Sequence, residues 1–193
     1  MADQHLQAWT KPHALLGRAA QWGCVVREID AGMRDWTSLL GIGPWILVRD
    51  FSAYSFTHRG ETVLPELTVA ITYFGDIQVE LIEQRNDAPS PYRDFLAAGR
   101  EGIQHLGFWP ADFAAARAAV EASGHAPVFF AQPNAPVNPT IYFEAPERVG
   151  PMIELSEIPE PRKRAYARMR ELAENWDGSA PVREFASLAT LFA

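Results

Sequence analysis

The chain has 193 residues, of which 48% are hydrophobic, so it can bury a substantial core as one domain or as two fused half-domains. Its 24 acidic and 17 basic residues give a net charge of −7, which argues against a nucleic-acid partner or an anionic membrane surface. No apolar run is long enough to cross a membrane, residues 1–20 lack a signal-peptide pattern, and the single Cys24 excludes an internal disulfide. These features predict a soluble, cytoplasmic protein.

The first half of the chain is predicted to form an N-terminal arm followed by a strand, a helix and three more strands. The arm is residues 1–18, and the module after it is residues 19–84. Asp30 is the expected N-cap of the helix, Gly41 is its expected end, and residues 51–60 are a loop or an irregular hairpin. The strands are expected at 21–26, 45–49, 67–74 and 77–83.

The second half repeats this pattern after a linker at 84–101 that contains a short helical run. The second module is residues 102–158, with Asp112 as the N-cap of its helix. Its helix is expected at 112–123 and its strands at 103–109, 127–131, 140–144 and 151–156. Residues 159–193 are predicted to be a helical tail that packs on the domain or on a partner subunit through a stripe of Ala165, Met169, Leu172 and Trp176.

The two modules correspond in detail, which makes an internal repeat the main organising feature of the chain. Gln21 and His105 each precede a glycine by two residues in the first strand of their module. Glu80 and Glu154 each stand in a closing strand of the form [V/I]-E-L-x-E. The repeat therefore predicts an α+β protein built from two βαβββ modules.

These four polar residues lie among apolar neighbours, where an unpaired buried carboxylate would be costly. A divalent cation would compensate two glutamates and a histidine, and carboxylate, imidazole and amide ligands suit Zn, Ni, Co, Mn or Fe. The alternative is that Glu80 and Glu154 face solvent on half-exposed strands. The residues alone leave both interpretations open.

Strand alternation also gives a local prediction around the histidine. His105 should share a face with Gly107, which would leave room above its ring, and Gln104 should lie on the opposite face.

The repeat and three sequence stretches resemble the vicinal oxygen chelate superfamily, which includes glyoxalase I, methylmalonyl-CoA epimerase, extradiol dioxygenases and bleomycin-resistance proteins. The stretches are VELIEQ at 79–84, SPYRDFL at 90–96 and GIQH at 102–105, and they look most like the epimerase branch. The resemblance covers residues 19–158. It implies that each module curls its part of a mixed sheet into half of an open cup, with a metal inside.

Carried over by position, the resemblance implies metal ligands at Gln21, Glu80, His105 and Glu154. Epimerases usually have His where Gln21 stands, whereas some glyoxalase I enzymes have Gln there. The family chemistry implies a metal-dependent isomerase or epimerase that moves a proton next to a carbonyl of a small organic substrate, with Glu154 as the first candidate for the base and Glu80 as the second. A glyoxalase I-type lyase and a ligand-sequestering protein are the alternatives, and the superfamily's habit of pairing modules implies a homodimer.

Overall fold

The computed structural model describes residues 11–51 and 54–187, which form five helices and eleven strands. The helices are α1 (Lys11–Leu16), α2 (Ile29–Leu40), α3 (Pro91–Ala97), α4 (Phe113–Ala122) and α5 (Glu160–Glu174). The strands are β1 (Ala19–Val25), β2 (Trp45–Val48), β3 (Tyr54–His58), β4 (Glu61–Val63), β5 (Leu67–Phe74), β6 (Ile77–Gln84), β7 (Gly102–Phe108), β8 (Pro127–Pro133), β9 (Thr140–Phe143), β10 (Met152–Leu155) and β11 (Val182–Glu184). None of the described helices has the length and apolar character needed to span a membrane.

All eleven strands belong to one curled mixed sheet in the order β11-β2-β5-β6-β1-β7-β10-β9-β8-β3-β4. In the first half, β1 pairs in parallel with β6, which continues through antiparallel pairs to β5 and β2. In the second half, β7 pairs in parallel with β10, which continues through antiparallel pairs to β9 and β8. The two halves therefore have the same topology, and the predicted α+β repeat is confirmed. They join through an antiparallel pair between β1 and β7.

Hydrophobic residues are buried on both faces of the sheet. Helix α2 packs Ile29 and Met33 against the first half, and α4 packs Phe113 and Val120 against the second. The other face carries the largest cluster, which draws on both halves and includes Tyr92, Phe95 and Leu96 of helix α3. The helix of the predicted linker is therefore part of this inner core.

The two module helices begin differently from one another. The Asp112 side chain accepts a hydrogen bond from the Ala115 amide and caps α4, as predicted. The prediction of Asp30 as the cap of α2 is wrong: that helix begins at Ile29, and its N-cap residue Glu28 makes no side-chain capping bond. The Glu83 carboxylate, from the neighbouring strand, accepts the Ile29 amide instead, so a tertiary contact replaces the local cap.

The segment predicted at 51–60 as a loop or an irregular hairpin lies largely in a hairpin, whose strands fall within residues 54–63. Its strands β3 and β4 do not pair with the first half, although they belong to it in sequence. Strand β3 pairs instead with β8 of the second half. The hairpin thus extends the sheet of the second half and links the two modules.

The C-terminal tail contains the predicted helix and also a strand. Helix α5 buries Ala165 and Met169, and it packs against β5 of the domain. After α5 the chain forms β11, which pairs in parallel with β2 at the edge of the sheet, so the tail is only partly helical. At the other end, α1 lies against α4, whereas residues 1–10 of the predicted arm lie outside the described residues.

Candidate metal centre

The candidate site lies where the two halves meet, on the paired strands β1 and β7. In this pair Gly23 is opposite His105, and Gln21 is opposite Gly107. A Cβ atom added at Gly23 would lie 1.8 Å from the Cε1 and Nε2 atoms of His105, and one at Gly107 would lie 2.6 Å from the Gln21 Oε1 atom. Each glycine therefore makes room for the ligand candidate of the opposite strand. The predicted role of Gly107 beside His105 is corrected: Gly23 provides that space.

The parallel neighbours of β1 and β7 bring in the two glutamates. Glu80 on β6 is in register with Gly23, and Glu154 on β10 is in register with Gly107. The His105 Nε2 atom lies 3.2 Å from the Glu154 Oε2 atom and 3.8 Å from the Glu80 Oε2 atom. One donor atom from each of the three residues lies within 4.8 Å of the others. The alternative of solvent-facing glutamates is not what the structure shows, since the Glu80 side chain is 15% exposed and that of Glu154 is 5% exposed.

The orientation of the His105 ring is set by its neighbour in sequence. The His105 Nδ1 atom lies 2.7 Å from the Gln104 Oε1 atom, while the Gln104 Nε2 atom donates to the Pro91 carbonyl oxygen. Because that amide oxygen is an acceptor, Nδ1 carries a proton, and Nε2 is the ring atom that faces the carboxylates. Nε2 is buried and has no hydrogen-bond partner among the described residues.

Strand alternation predicted Gln104 on the face opposite His105, and this prediction is wrong. The partners of β1 pass from His105 to Ile103 between Gly23 and Cys24, so Gln104 is the extra residue of a β-bulge. A bulge breaks the alternation of side chains and lets consecutive residues turn toward the same side. Gln104 can therefore reach the His105 ring, and Ile103 is left 46% exposed.

The Gln21 amide is oriented by a second chain of hydrogen bonds. Its Nε2 atom donates to the Gln78 Oε1 atom over 2.8 Å, and the Gln78 Nε2 atom donates to the Tyr73 hydroxyl over 3.0 Å. This leaves the Gln21 Oε1 atom buried and without a partner in the described part of the chain. Gln21 is thus held with an amide oxygen free, which is the donor that a metal would use.

The two carboxylates lie in unequal surroundings. Glu154 accepts a hydrogen bond from the Ser156 hydroxyl over 2.7 Å, and Ser156 in turn lies 2.8 Å from the Thr140 hydroxyl. Burial would raise the pKa of Glu154, but the adjacent His105 and the Ser156 hydroxyl outweigh it and the pKa is lowered. Burial, and then the charge of Glu154, raise the pKa of Glu80 to about 8.

The donor set fits a divalent cation. Donor atoms bound to one such ion at about 2.0–2.2 Å lie about 3 to 4 Å apart, which is close to the separations from Nε2 to the two carboxylates. The two buried atoms that lack hydrogen-bond partners, His105 Nε2 and Gln21 Oε1, are of the types that bind metals. A cation would also compensate the two buried carboxylates.

Gln21, Glu80 and Glu154 line a cavity of about 60 Å³. Its walls are otherwise mostly apolar and aromatic. Helix α5 reaches this cavity through Arg162 and Tyr166, which lie one helical turn apart. The tail is therefore part of the cavity wall.

A sequence model of the glyoxalase/bleomycin resistance protein/dioxygenase superfamily matches residues 20–143, which is more than half of the chain. The chain belongs to this superfamily. The name vicinal oxygen chelate superfamily describes the same group, so the family expected from the sequence is confirmed. The match includes Gln21, Glu80 and His105 and ends before Glu154 and helix α5. A comparison with functionally curated proteins finds no significant match.

Two solved structures show the same fold. A hypothetical protein from Bacillus halodurans C-125 is 19% identical, with a TM-score of 0.54 over 74% of this chain and 95% of its own. Methylmalonyl-CoA epimerase from Mycobacterium tuberculosis is 20% identical, with a TM-score of 0.51 over 78% of this chain and 93% of its own. At this level of identity the likeness shows that the fold is shared. Any conclusion about activity has to come from the residues of the site.

Several residues of the site have no role in the sequence-based prediction. Ser156 carried a usable signal, since it lies two residues after Glu154 and a strand places such residues on one face. Gln104 needed knowledge of the bulge. Arg162 gave no signal, because only the docking of α5 brings it to the vicinal oxygen chelate cup.

Proposed function

We propose that this protein is a divalent-metal-dependent isomerase or epimerase that moves a proton next to a carbonyl of a small organic substrate. The observation that carries the proposal is the convergence of Glu80, His105 and Glu154, with one donor atom of each within 4.8 Å of the others. Gln21 is proposed as the fourth ligand, because its free amide oxygen is buried in the same cavity. The ion is proposed to be Zn, Ni, Co, Mn or Fe.

When bound, the ion would stabilise negative charge on a substrate oxygen and so acidify the neighbouring C–H group. The protein residues have the complementary tasks. Gln104 holds the tautomer of His105, and Gln78 holds the Gln21 amide, so two ligands from the two halves are fixed before any substrate arrives. The apolar cavity wall limits water around the reacting carbon.

The base must be a carboxylate that can leave the ion and reach the substrate. The sequence resemblance ranks Glu154 first and Glu80 second. The contacts favour the opposite order, because one oxygen of Glu154 accepts from Ser156 and the other lies beside His105. Glu80 is more exposed than Glu154 and belongs to the same cavity. We therefore propose Glu80 as the proton-abstracting base and Glu154 as the more firmly held ligand, both to be tested in parallel.

A glyoxalase I-type lyase is less well supported by the cavity. Such an enzyme has to bind the two carboxylates of glutathione, but the cavity lining within the described residues includes a single cationic side chain, Arg162. The volume of about 60 Å³ is also small beside the roughly 300 to 1,000 Å³ of pockets for larger ligands. A purely sequestering protein would not need the buried ligand set.

The metal is tested by analysing the metal content of the purified protein. We expect about one divalent ion per chain and the loss of most of it in His105→Ala, since a site with so few ligands depends on each of them. His58→Ala is the matched control, because His58 is also buried but pairs with Asp94 and is not one of the triad. Equal metal content in His105→Ala and the unaltered protein would contradict the ligand assignment.

The reaction is tested by hydrogen–deuterium exchange of substrate C–H groups in D₂O, followed by NMR with a panel of small carbonyl compounds. Glu80→Gln should lower the exchange rate by about 100-fold or more while an amide oxygen keeps most of the metal. If Glu154→Gln alone abolishes exchange, the order of the two bases is reversed. If the metal-loaded protein binds a compound tightly without exchanging any C–H group, the sequestering alternative is the better description.

A further inference from the structure

Helix α5 lies outside the part of the chain that matches the superfamily, yet it forms one wall of the candidate site. The match ends at residue 143, and α5 spans Glu160–Glu174. Ala165 and Met169 anchor the helix on the domain. Tyr166 stacks on Trp109 with 5.1 Å between the ring centroids. Because Ala165 and Met169 are buried and the Tyr166–Trp109 pair is partly buried, apolar packing holds the helix in place over the cavity.

Among the described residues that line this cavity, Arg162 at the start of α5 is the one with a cationic side chain. Its Nη2 atom donates to the Tyr54 hydroxyl over 3.0 Å, and Tyr54 is stacked on Phe51 with 4.9 Å between ring centroids. Arg162 is partly buried, and no acidic side chain lies within 4.0 Å of it in the described part of the chain. Nine other arginines, all with side chains about 40% or more exposed, do have an acidic partner: Arg18, Arg27, Arg49, Arg59, Arg85, Arg93, Arg117, Arg168 and Arg170.

An arginine that is partly withdrawn from water and lacks an ion pair is costly unless something else satisfies it. The guanidinium has five N–H donors, and Tyr54 accepts from one of its nitrogens. Its planar fork matches the paired oxygens of a carboxylate or a phosphate, and the cavity of about 60 Å³ favours the smaller carboxylate. Glu80 and Glu154 are in the same cavity, and they are the groups expected to hold the ion.

We propose that Arg162 binds a carboxylate of the substrate, so that the substrate is a small carbonyl-containing acid held between the ion and helix α5. This inference rests on the proposed function, and it names the substrate class. The small cavity agrees with an acid of a few carbon atoms. The arrangement gives a two-point attachment: the carbonyl oxygen toward the triad and the carboxylate toward Arg162. Two-point attachment fixes which C–H group faces the base.

The test uses calorimetric titration of the metal-loaded full chain with three acids and their methyl esters. The acids are 2-oxobutanoate, 3-oxobutanoate and 4-oxopentanoate, which vary the spacing between carbonyl and carboxylate. We expect at least one acid to bind about tenfold or more tightly than its ester, since a charge-assisted pair is worth about that factor. Arg162→Met should remove this preference with the metal content unchanged, and Arg162→Lys should keep part of it. Arg164→Met, at an exposed position of the same helix, is the matched control and should bind like the unaltered protein.

The proposal is overturned if no acid binds more tightly than its ester, or if Arg162→Met keeps the preference. It is also overturned if Arg162→Met lowers metal content without changing the ratio of acid affinity to ester affinity. Arg162 would then act on Glu80 and Glu154 rather than on the substrate. The same samples are assayed for deuterium exchange. Exchange on esters and acids alike would support the proposed function and refute the role of Arg162. Arg162-dependent binding of acids without any exchange would support the role of Arg162 and refute the proposed function.

Discussion

Replacing Gly23 by alanine should disable the candidate metal centre from a position that bears no ligand. The added Cβ would lie 1.8 Å from two ring atoms of His105, whereas carbon atoms pack at about 3.5 Å, so the ring would have to withdraw by about 1.7 Å. A metal site tolerates only about 0.2 Å in its ligand distances. His105 is fully buried and has no free space to retreat into without moving its neighbours.

We expect Gly23→Ala to lower metal affinity by more than about tenfold and to destabilise the metal-free fold by about 1–3 kcal/mol through overpacking. Metal affinity is measured by competition with a chelator, and stability by urea denaturation of the metal-free protein. Gly107→Ala should have a smaller effect, because its Cβ would meet the flexible Gln21 side chain at 2.6 Å. Gly32→Ala on α2 is the control, since its nearest contact would be 3.2 Å and alanine favours the helix. Unchanged metal affinity and stability in Gly23→Ala would refute this account of how the site is built.

Three further outcomes are expected. Gln104→Leu should lower metal affinity about 10- to 100-fold in the same chelator assay, because the His105 Nδ1 atom loses its acceptor, and an unchanged affinity would exclude that role. Burial and the charge of Glu154 raise the pKa of Glu80 to about 8 in the metal-free protein, so metal affinity measured between pH 6 and 9 should be full above about 8 and fall as the pH decreases. For folding the sign is opposite: the neutral Glu80 carboxyl is favoured in the metal-free fold, so this contribution to stability is present below the ordinary pKa and is lost as the pH rises to about 8. The protein should also be a homodimer, because the exposed edges of an open sheet are commonly covered by a second copy, and a monomeric mass in light scattering would contradict this.

The sequence by itself determined the repeat and the identity of the ligand candidates. Both follow from patterns that are local in the chain: alternation within strands, a capping aspartate such as Asp112, and a polar residue two positions before a glycine. Because the two modules carry the same pattern, the positions of Gln21 and His105 could be matched without knowing how they meet. The corresponding glutamates, Glu80 and Glu154, followed from the same comparison.

Only the tertiary structure decided how these residues are supported. The His105 ring occupies the space that a side chain at Gly23 would fill. This depends on the register of β1 against β7, which pairs these two residues 82 positions apart in the chain. The bulge at Gln104 depends on the same pairing, and strand alternation could not anticipate it. The loss of the Asp30 cap has the same origin, because a carboxylate from a neighbouring strand took its place.

The position of Arg162 beside the cavity is the clearest feature that could not be predicted from the sequence. An amphipathic helix in the sequence predicts that one face will be buried, but it does not predict which surface will cover that face. Helix α5 is positioned by its contacts with β5 and with Trp109, and neither is near it in sequence. The ligand set was readable from local pattern because it is repeated within the chain. The anion-binding side chain proposed here was not, because its position is the result of packing between distant segments.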